Sequence, residues 1–373
     1  MRRTFWVIFI AVEIVLGAAL GVWLIQPSQQ RSVESIPAPI VTLTTSTAPV
    51  PPTAPAPVVV SSTTPVVNKG VSVLFVGDMM FDRTVATRIR KNGFEYPFAH
   101  VASSSDQLFD KNDIIVGNLE GPIAERVSST KSISFAFDPR VVLVLKKMGF
   151  DAVSQANNHS LDQGRAGAEA SRKALQDGGV IPFGDEVRDD ASSSLAIIER
   201  DGKKIALIGL NATDAPVDQS VVTQTIATAK QRADLVVVFM HWGAEYHDKP
   251  IASQIDLAHW LIDHGVSAVI GSHPHWMESV EVYHGKIIAY SLGNFIFDQD
   301  WSTETNLGLV VGLTMRTAGE DLASSLFLYP IKIEQSQPRL LSGSERQSRL
   351  QKLAEESDSS LKDQILSGVV HSP

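Results

Sequence analysis

The sequence predicts an α/β fold with a parallel core and antiparallel additions. Three observations predict it. From Val71 to Ile270, short apolar runs rich in β-branched residues alternate with segments of helical period. Past Gly271 such runs follow one another without intervening helices, separated by turn signals such as His284-Gly285. Over the whole chain 44% of residues are hydrophobic and 20% charged, the balance of a globular protein with a sizeable core. The 373 residues suffice for one large domain or two smaller ones.

The N-terminus stands apart from that fold. Met1-Arg2-Arg3 precedes an apolar stretch, Phe5 to Ile25, interrupted only by Glu13. At about 20 residues it is long enough to span a bilayer. The two arginines are expected to stay cytoplasmic, which puts the rest of the chain outside. An uncleaved anchor is expected rather than a signal peptide, because Gln26-Pro27-Ser28-Gln29 follows where a small-residue cleavage site would stand. Residues 27–69 are rich in Pro, Thr, Ser, Val and Ala, as in Ala48-Pro49-Val50-Pro51-Pro52, and read as an extended stalk. The expected division is therefore anchor 1–26, linker 27–69, folded domain 70–340, and a polar helix and frayed tail 341–373.

Within the folded part, Val71–Val76 reads as a strand ending in Gly77-Asp78, followed by a helix from Asp82 to Lys91. Asp113–Val116 ends in Gly117-Asn118-Leu119-Glu120-Gly121. Asp138-Pro139 opens a helix that stops at Gly149. Asp151–Ser154 leads into Gln155-Ala156-Asn157-Asn158-His159, and a helix spans Gly164 to Asp177. Strands at Ser194–Glu199 and Lys204–Leu210 flank the hairpin signal Asp201-Gly202. A helix at Ser220–Arg232 precedes Asp234–Met240, the most strand-like run, which ends in His241-Trp242-Gly243. A helix at Ser253–His264 precedes Ser267–Ile270, which ends in Gly271-Ser272-His273-Pro274-His275. Strands are then expected at Val280–Tyr283, Lys286–Tyr290, Ser291–Phe295, Leu307–Met315 and Leu326–Ile333.

Five of these runs end in residues of metal-ligand or acid–base type: Asp78; Asn118 and Glu120; Asn158 and His159; His241; His273 and His275. In open α/β sheets ligands bind beyond the carboxyl ends of the strands. Carboxylate, amide oxygen and imidazole together suit Mn²⁺, Zn²⁺ or Fe, as one ion or two. Two ions would clamp the attacking and leaving oxygens of a phosphoryl displacement. His159 is read as a proton donor to the leaving oxygen, or as a residue that orients ligands. The chain has no cysteine, which excludes thiolate sites and disulfides. Its net charge of −9 and lack of a long Lys/Arg run argue against nucleic acid as a partner.

Six motifs in this order resemble the CapA proteins of poly-γ-glutamate capsule biosynthesis, a branch of the calcineurin-like metallophosphoesterase superfamily. They are Gly77-Asp78-Met79-Met80-Phe81-Asp82-Arg83, Gly117–Gly121, Ala156–His159, His241–Gly243, Gly271–His275 and Ser291-Leu292-Gly293-Asn294-Phe295. The resemblance spans Val71 to Ile333. It implies a four-layer α/β/β/α sandwich of metallophosphoesterase type with a dinuclear site at one edge. Asp78, Asn118, Glu120, Asn158, His241, His273 and His275 would be the ligand set, and Asn158 and His159 the catalytic Asn–His pair; Arg83 and Asn294 match family positions near the site, and we read them as substrate contacts. It further implies an anionic polymer or phosphoester substrate and a capsule synthesis complex at the membrane. A non-catalytic polymer-binding or export role, or a general surface phosphoesterase, are the alternatives.

Two positions depart from the superfamily pattern. Met80 stands where a histidine is usual, and thioether sulfur is a poor ligand for hard ions. Asn118 stands where the bridging aspartate is usual, with Glu120 two residues later. His247, His259, His264 and His284 read as surface or core-edge residues. Trp242 and Trp276 flank the ligand candidates and read either as walls of the crevice or as packing.

Overall fold

A computed structural model describes residues 70–102, 109, 114–127, 131–185, 194–318 and 321–372. The predicted membrane anchor (1–26) and linker (27–69) lie outside the described residues. Among the described residues, no helix is long and apolar enough to cross a membrane.

The chain lays down two mixed sheets. Strands β1 (Val71–Met79), β2 (Ile114–Leu119), β3 (Ala152–Ser154) and β4 (Ile181–Phe183) pair in parallel in that order. Helices α1 (Arg83–Asn92), α2 (Ala99–Ala102), α3 (Val141–Lys147) and α4 (Gly164–Asp177) occur between them. A second sheet follows, from β5 (Leu195–Arg200), β6 (Lys203–Asn211), β7 (Leu235–His241), β8 (Ala268–Ser272), β9 (Val280–Tyr283) and β10 (Lys286–Ala289). Its order is β5-β6-β7-β8-β10-β9, with α5 (Gln219–Arg232) and α6 (Ala252–Asp263) as the crossovers of its parallel centre. The chain then returns to the first sheet. There β11 (Asn294–Ile296) lies parallel to β1, and β12 (Leu307–Ala318) antiparallel to it. Strands β13 (Asp321–Glu334) and β14 (Gln337–Leu340) extend that edge. At the predicted hairpin, Asp201 (φ 51°) and Gly202 (φ 73°) both adopt the positive φ of a type I′ turn.

The layers run α/β/β/α, and side-chain alternation produces them. In β7, Leu235, Val237 and Phe239 face the first sheet, whereas Val236, Val238 and Met240 face α5 and α6. In β1, Val73 and Phe75 face inward, and Leu74 and Val76 pack with the helices of their own sheet. Phe75 and Phe239 stack between the sheets with ring centroids 5.8 Å apart. Each such fully buried side chain contributes about 1.5–3 kcal/mol of transfer free energy.

Strict alternation would carry Asp78 to the same outer face as Val76. A bulge prevents it. Val76 pairs with Gly117 and Asp78 with Asn118, so Gly77 is an extra residue in β1. The bulge re-aims Asp78 inward, beside Asn118. Gly77 is required there because a Cβ would lie 1.9 Å from the Gly293 carbonyl oxygen.

Three strands, β4, β14 and β15 (Val369–Ser372), were not expected from the sequence. The expectation of a peripheral helix and frayed end after Leu341 is also corrected. Helices α7 (Gly343–Glu356) and α8 (Lys362–Ser367), with the turn Ser359–Leu361 between them, place Leu350, Leu353, Leu361 and Ile365 in the core between the sheets, and β15 pairs with β13. The apolar stripe Leu350-Leu353-Ala354 follows helical spacing, but it is narrow and hidden in a polar composition.

Candidate metal centre

The carboxyl ends of β1, β2, β7 and β8, with the loops after β3 and β8, converge on one buried cluster. Asp78, Glu120 and His241 each offer a donor atom, all within 4.8 Å of one another. Asp78 is fully buried. Its Oδ1 accepts from Asn118 Nδ2 at 2.8 Å, and its Oδ2 from the His273 amide at 3.2 Å. His273 Nδ1 lies 3.2 Å from His241 Nε2, which is also 3.0 Å from Asn158 Oδ1. His275 Nδ1 stands 3.5 Å from Asp78 Oδ2, and its Nε2 3.7 Å from Glu120 Oε1. His159 Nε2 points to the same Glu120 oxygen at 4.0 Å.

Glu120 is the unusual member. It is fully buried, yet among the described residues neither carboxylate oxygen has a hydrogen-bond partner. A buried carboxylate without a partner costs several kcal/mol. Donor sets of this kind (two carboxylates with neutral imidazoles) fit a divalent cation, and the orphaned oxygens are what such an ion would satisfy.

The electrostatics agree. Burial holds His241 well below the usual histidine range, and the surrounding histidines add to it. Burial and His275 push His273 down to about 4. Both rings are therefore neutral at pH 7, the form that ligates metals. Burial works against the charge of His275, but Glu120 and Asp78 outweigh it and raise that ring to about 9. Burial, then Asp78, raises Glu120 well above the usual carboxylate range. A single proton answers both tendencies. We place it on His275, which faces two carboxylates, whereas Glu120 has no donor of its own. The two carboxylates thus sit where positive charge is required.

Backbone strain gathers at the same place. Arg83 (φ 49°), Tyr246 (φ 64°), His273 (φ 99°) and His275 (φ 58°) adopt positive φ without being glycine. Pro274 lies between the two strained histidines, whose ring centroids are 6.1 Å apart.

The other expected residues are placed as follows. Asn118 donates to Asp78 and accepts from Asn157 Nδ2 at 3.1 Å, so both ends of its amide are engaged within the protein. Arg83 pairs with Asp298 at the rim, its guanidinium 5.1 Å from the Phe135 ring centroid. Asn294 is fully buried and donates to Gln299 and Thr305. Its Oδ1 faces His275 Nδ1 at 2.9 Å. Asn294 therefore positions His275 instead of contacting substrate, because β11 is threaded beside β1 inside the sheet. The Met80 sulfur accepts from the Asp82 amide at 3.0 Å and is not aimed at the cluster. Trp242 is packing: it lies on the helix side of β7, with Nε1 donating to the Tyr290 carbonyl at 2.8 Å.

Several contributors were not read from the sequence. Ser272 Oγ sits 3.0 Å from His241 Nδ1. Tyr246 stacks on His275 at 5.9 Å between centroids. Asp162 is buried and holds His159 Nδ1 at 2.7 Å, while accepting from Lys131 Nζ at 2.8 Å and the Phe135 amide at 2.7 Å. A carboxylate three residues after the Asn158-His159 pair was the available signal for Asp162; nothing local signals Tyr246. This contact keeps the His159 proton on Nδ1 and leaves Nε2 facing Glu120. Asp162→Ala is accordingly expected to shift neutral His159 toward the Nε2–H tautomer, read from long-range ¹H–¹⁵N correlations. An unchanged tautomer would remove Asp162 from this role.

Comparison with known proteins bears on this geometry. The family described as "Bacterial capsule synthesis protein PGA_cap" matches residues 72–299. The chain is 33% identical over 257 residues to the PGA biosynthesis protein CapA of Bacillus subtilis (strain 168), covering 64% of this chain and 66% of that protein. It is 30% identical over 298 residues to the capsule biosynthesis protein CapA of Bacillus anthracis, covering 73% and 70%. The chain thus spans about two thirds of the length of these relatives. Among solved structures it is similar to a novel phosphatase from Mycoplasma pneumoniae, at 13% identity and a TM-score of 0.42, covering 73% of this chain and 91% of that one. By the extent of the family match and the identity to both CapA proteins, the chain belongs to the bacterial capsule synthesis family PGA_cap.

Proposed function

We propose that this chain is a metal-dependent, hydrolase-type component of poly-γ-glutamate capsule or envelope polymer production. In this reading Phe5–Ile25 anchors it in the cell membrane and the folded domain works outside the cytoplasm, within a capsule synthesis complex. The observation that carries the chemistry is the unpartnered carboxylate of Glu120 beside Asp78 and His241. Those three residues would hold a divalent ion (Mn, Zn or Fe), with His273 beside them and room in the donor set for a second ion. When bound, the ion supplies Lewis acidity toward a phosphoryl or acyl oxygen of the substrate.

The chain's own residues do the rest. Asp162 holds His159 through Nδ1, so that the protonated ring presents Nε2 as proton donor to a leaving group. Asn294 and Tyr246 fix the ring of His275. Arg83, held by Asp298 and half-exposed at the rim, engages an anionic group of the substrate, either a phosphoester or a carboxylate of the polymer. A second reading, a polymer-binding or export component without turnover, is favoured by Met80, which leaves a usual ligand position without a ligand.

Elemental mass spectrometry on the purified detergent-solubilised chain, paired with hydrolysis of a generic phosphodiester with and without Mn²⁺, separates the readings. Bound metal with Mn²⁺-dependent turnover is the expected result. Metal without turnover moves the assignment to the binding role, and absence of both overturns the metal centre.

A further inference from the structure

A second concavity lies on the other side of the six-stranded sheet from the metal centre. The period of two in β7 turns His241 toward the cluster and Trp242 toward the helices. Above Trp242, residues 212–217, Gln219 and one face of α6 line a cavity of about 570 Å³. This volume is in the range of small-molecule sites.

The lining has a definite chemistry. Trp242 is almost wholly buried, with its indole N–H spent on the Tyr290 carbonyl, and forms an apolar wall at the base of the cavity. Trp260 and Leu257 extend that apolar wall. Asp214 and Asp256 supply two exposed carboxylates to the lining, and neither has a cationic partner among the described residues. Among the described residues, no Lys, Arg or His lines the cavity. Aromatic faces and carboxylates both attract positive charge. Both repel the carboxylates or phosphates expected at the metal centre, so this cavity is not an extension of that substrate site.

We infer that the cavity between the 212–219 loop and the start of α6 binds an organic cation, a protonated amine carried on an apolar or aromatic body. The amine is held between Asp214 and Asp256, and the apolar body lies against Trp242, Trp260 and Leu257. The inference does not depend on the proposed hydrolase chemistry.

The test uses two probes of similar shape and opposite charge, 2-phenylethylamine and 3-phenylpropionate. Each is titrated calorimetrically into the full-length, detergent-solubilised chain at neutral pH. Saturable binding of the amine, with about a tenfold or greater preference over the carboxylate, is expected. The exposed-site double variant Asp214→Asn/Asp256→Asn, which keeps the shape of both side chains, is expected to lose that preference. Asp78→Asn is expected to leave amine binding unchanged, which separates this site from the metal centre. Equal affinity for both probes, no saturable binding of either, or an amine affinity unchanged in the double variant would each overturn the assignment. So would loss of amine binding in Asp78→Asn, because the probe would then be reporting on the metal centre.

Discussion

Asp78→Asn is expected to weaken divalent-metal binding by at least about 100-fold, and Glu120→Gln to do the same. Among the described residues, Asp78, Glu120 and His241 bring donor atoms within 4.8 Å of one another, and two of these three are carboxylates. Removing either negative charge leaves one carboxylate and neutral imidazoles to hold a dication in a buried place. Asp78 also accepts from Asn118 and from the His273 amide, so its loss loosens the frame in which His273 is set. The asparagine and glutamine variants keep shape and some hydrogen bonding, which limits the cost to folding. A readout free of any activity is thermal stability against added Mn²⁺ or Zn²⁺. A ligand that binds only the folded state stabilises it by mass action. The wild-type melting temperature should climb with metal concentration, while both variants stay flat. A metal-dependent rise of the same size in either variant would show that the ion is held elsewhere.

At pH 8.5, Glu278→Gln is expected to be more stable than the wild type by on the order of a few kcal/mol, and at pH 5 nearly equal to it. Glu278 is almost fully buried. Its Oε2 accepts from Gln254 Nε2 at 2.8 Å, but its Oε1 has no partner. Glu356, at the end of α7, also has a buried oxygen, Oε1, without a hydrogen-bond partner among the described residues, Lys352 Nζ standing 3.6 Å from it. Burial pushes Glu278 up to about 8, against the Gln254 hydrogen bond and with help from Glu356 and Asp248. Burial likewise raises Glu356 to about 7, against Lys352 and Arg349. The ordinary value for these carboxyls is 4.5, so the folded chain holds their protons more tightly than the unfolded chain. Their stabilising contribution is thus complete below about pH 4.5 and is lost as pH rises through about 7 to 8. The glutamine cannot ionise and keeps an acceptor for Gln254, so it removes the slope belonging to Glu278. Urea denaturation of both proteins at the two pH values measures the difference, and comparing them cancels titrations elsewhere in the chain. A variant less stable than wild type at pH 8.5 would mean that Glu278 is ionised and satisfied in the folded protein.

Much of the architecture was legible because it rests on local patterns. The run Asp234–Met240 carries enough β-branched and apolar residues to be a buried strand in any context, and it becomes β7. Asp201-Gly202 dictates its own turn, since both residues tolerate positive φ. Helix α4 begins and ends where its glycines and periodicity place it. The short strands β4, β14 and β15 were not legible: three or four residues carry too little periodicity, and they exist because a neighbouring strand offers them a ladder.

The candidate site divides in the same way. By itself the sequence determined which residue types stand at the strand ends: Asp78, Glu120, His159, His241, His273 and His275 all occur just where apolar runs stop. Which of them meet was decided only by the tertiary structure. The bulge at Gly77 turns Asp78 inward, and its extra residue is glycine because the Gly293 carbonyl, 216 residues further along the chain, leaves no room for a side chain. Asn294 shares a motif with site residues, yet pairing of β11 with β1 buries it and makes it a support for His275. Trp242 adjoins a ligand candidate, but strand pleating sends it to the opposite face. The sequence marks Glu120 as one strand-end candidate among several. Only its burial, with both oxygens unpartnered beside Asp78 and His241, makes it the centre of the site. Local sequence controls backbone propensity and residue chemistry, whereas burial and convergence are properties of contacts between distant segments.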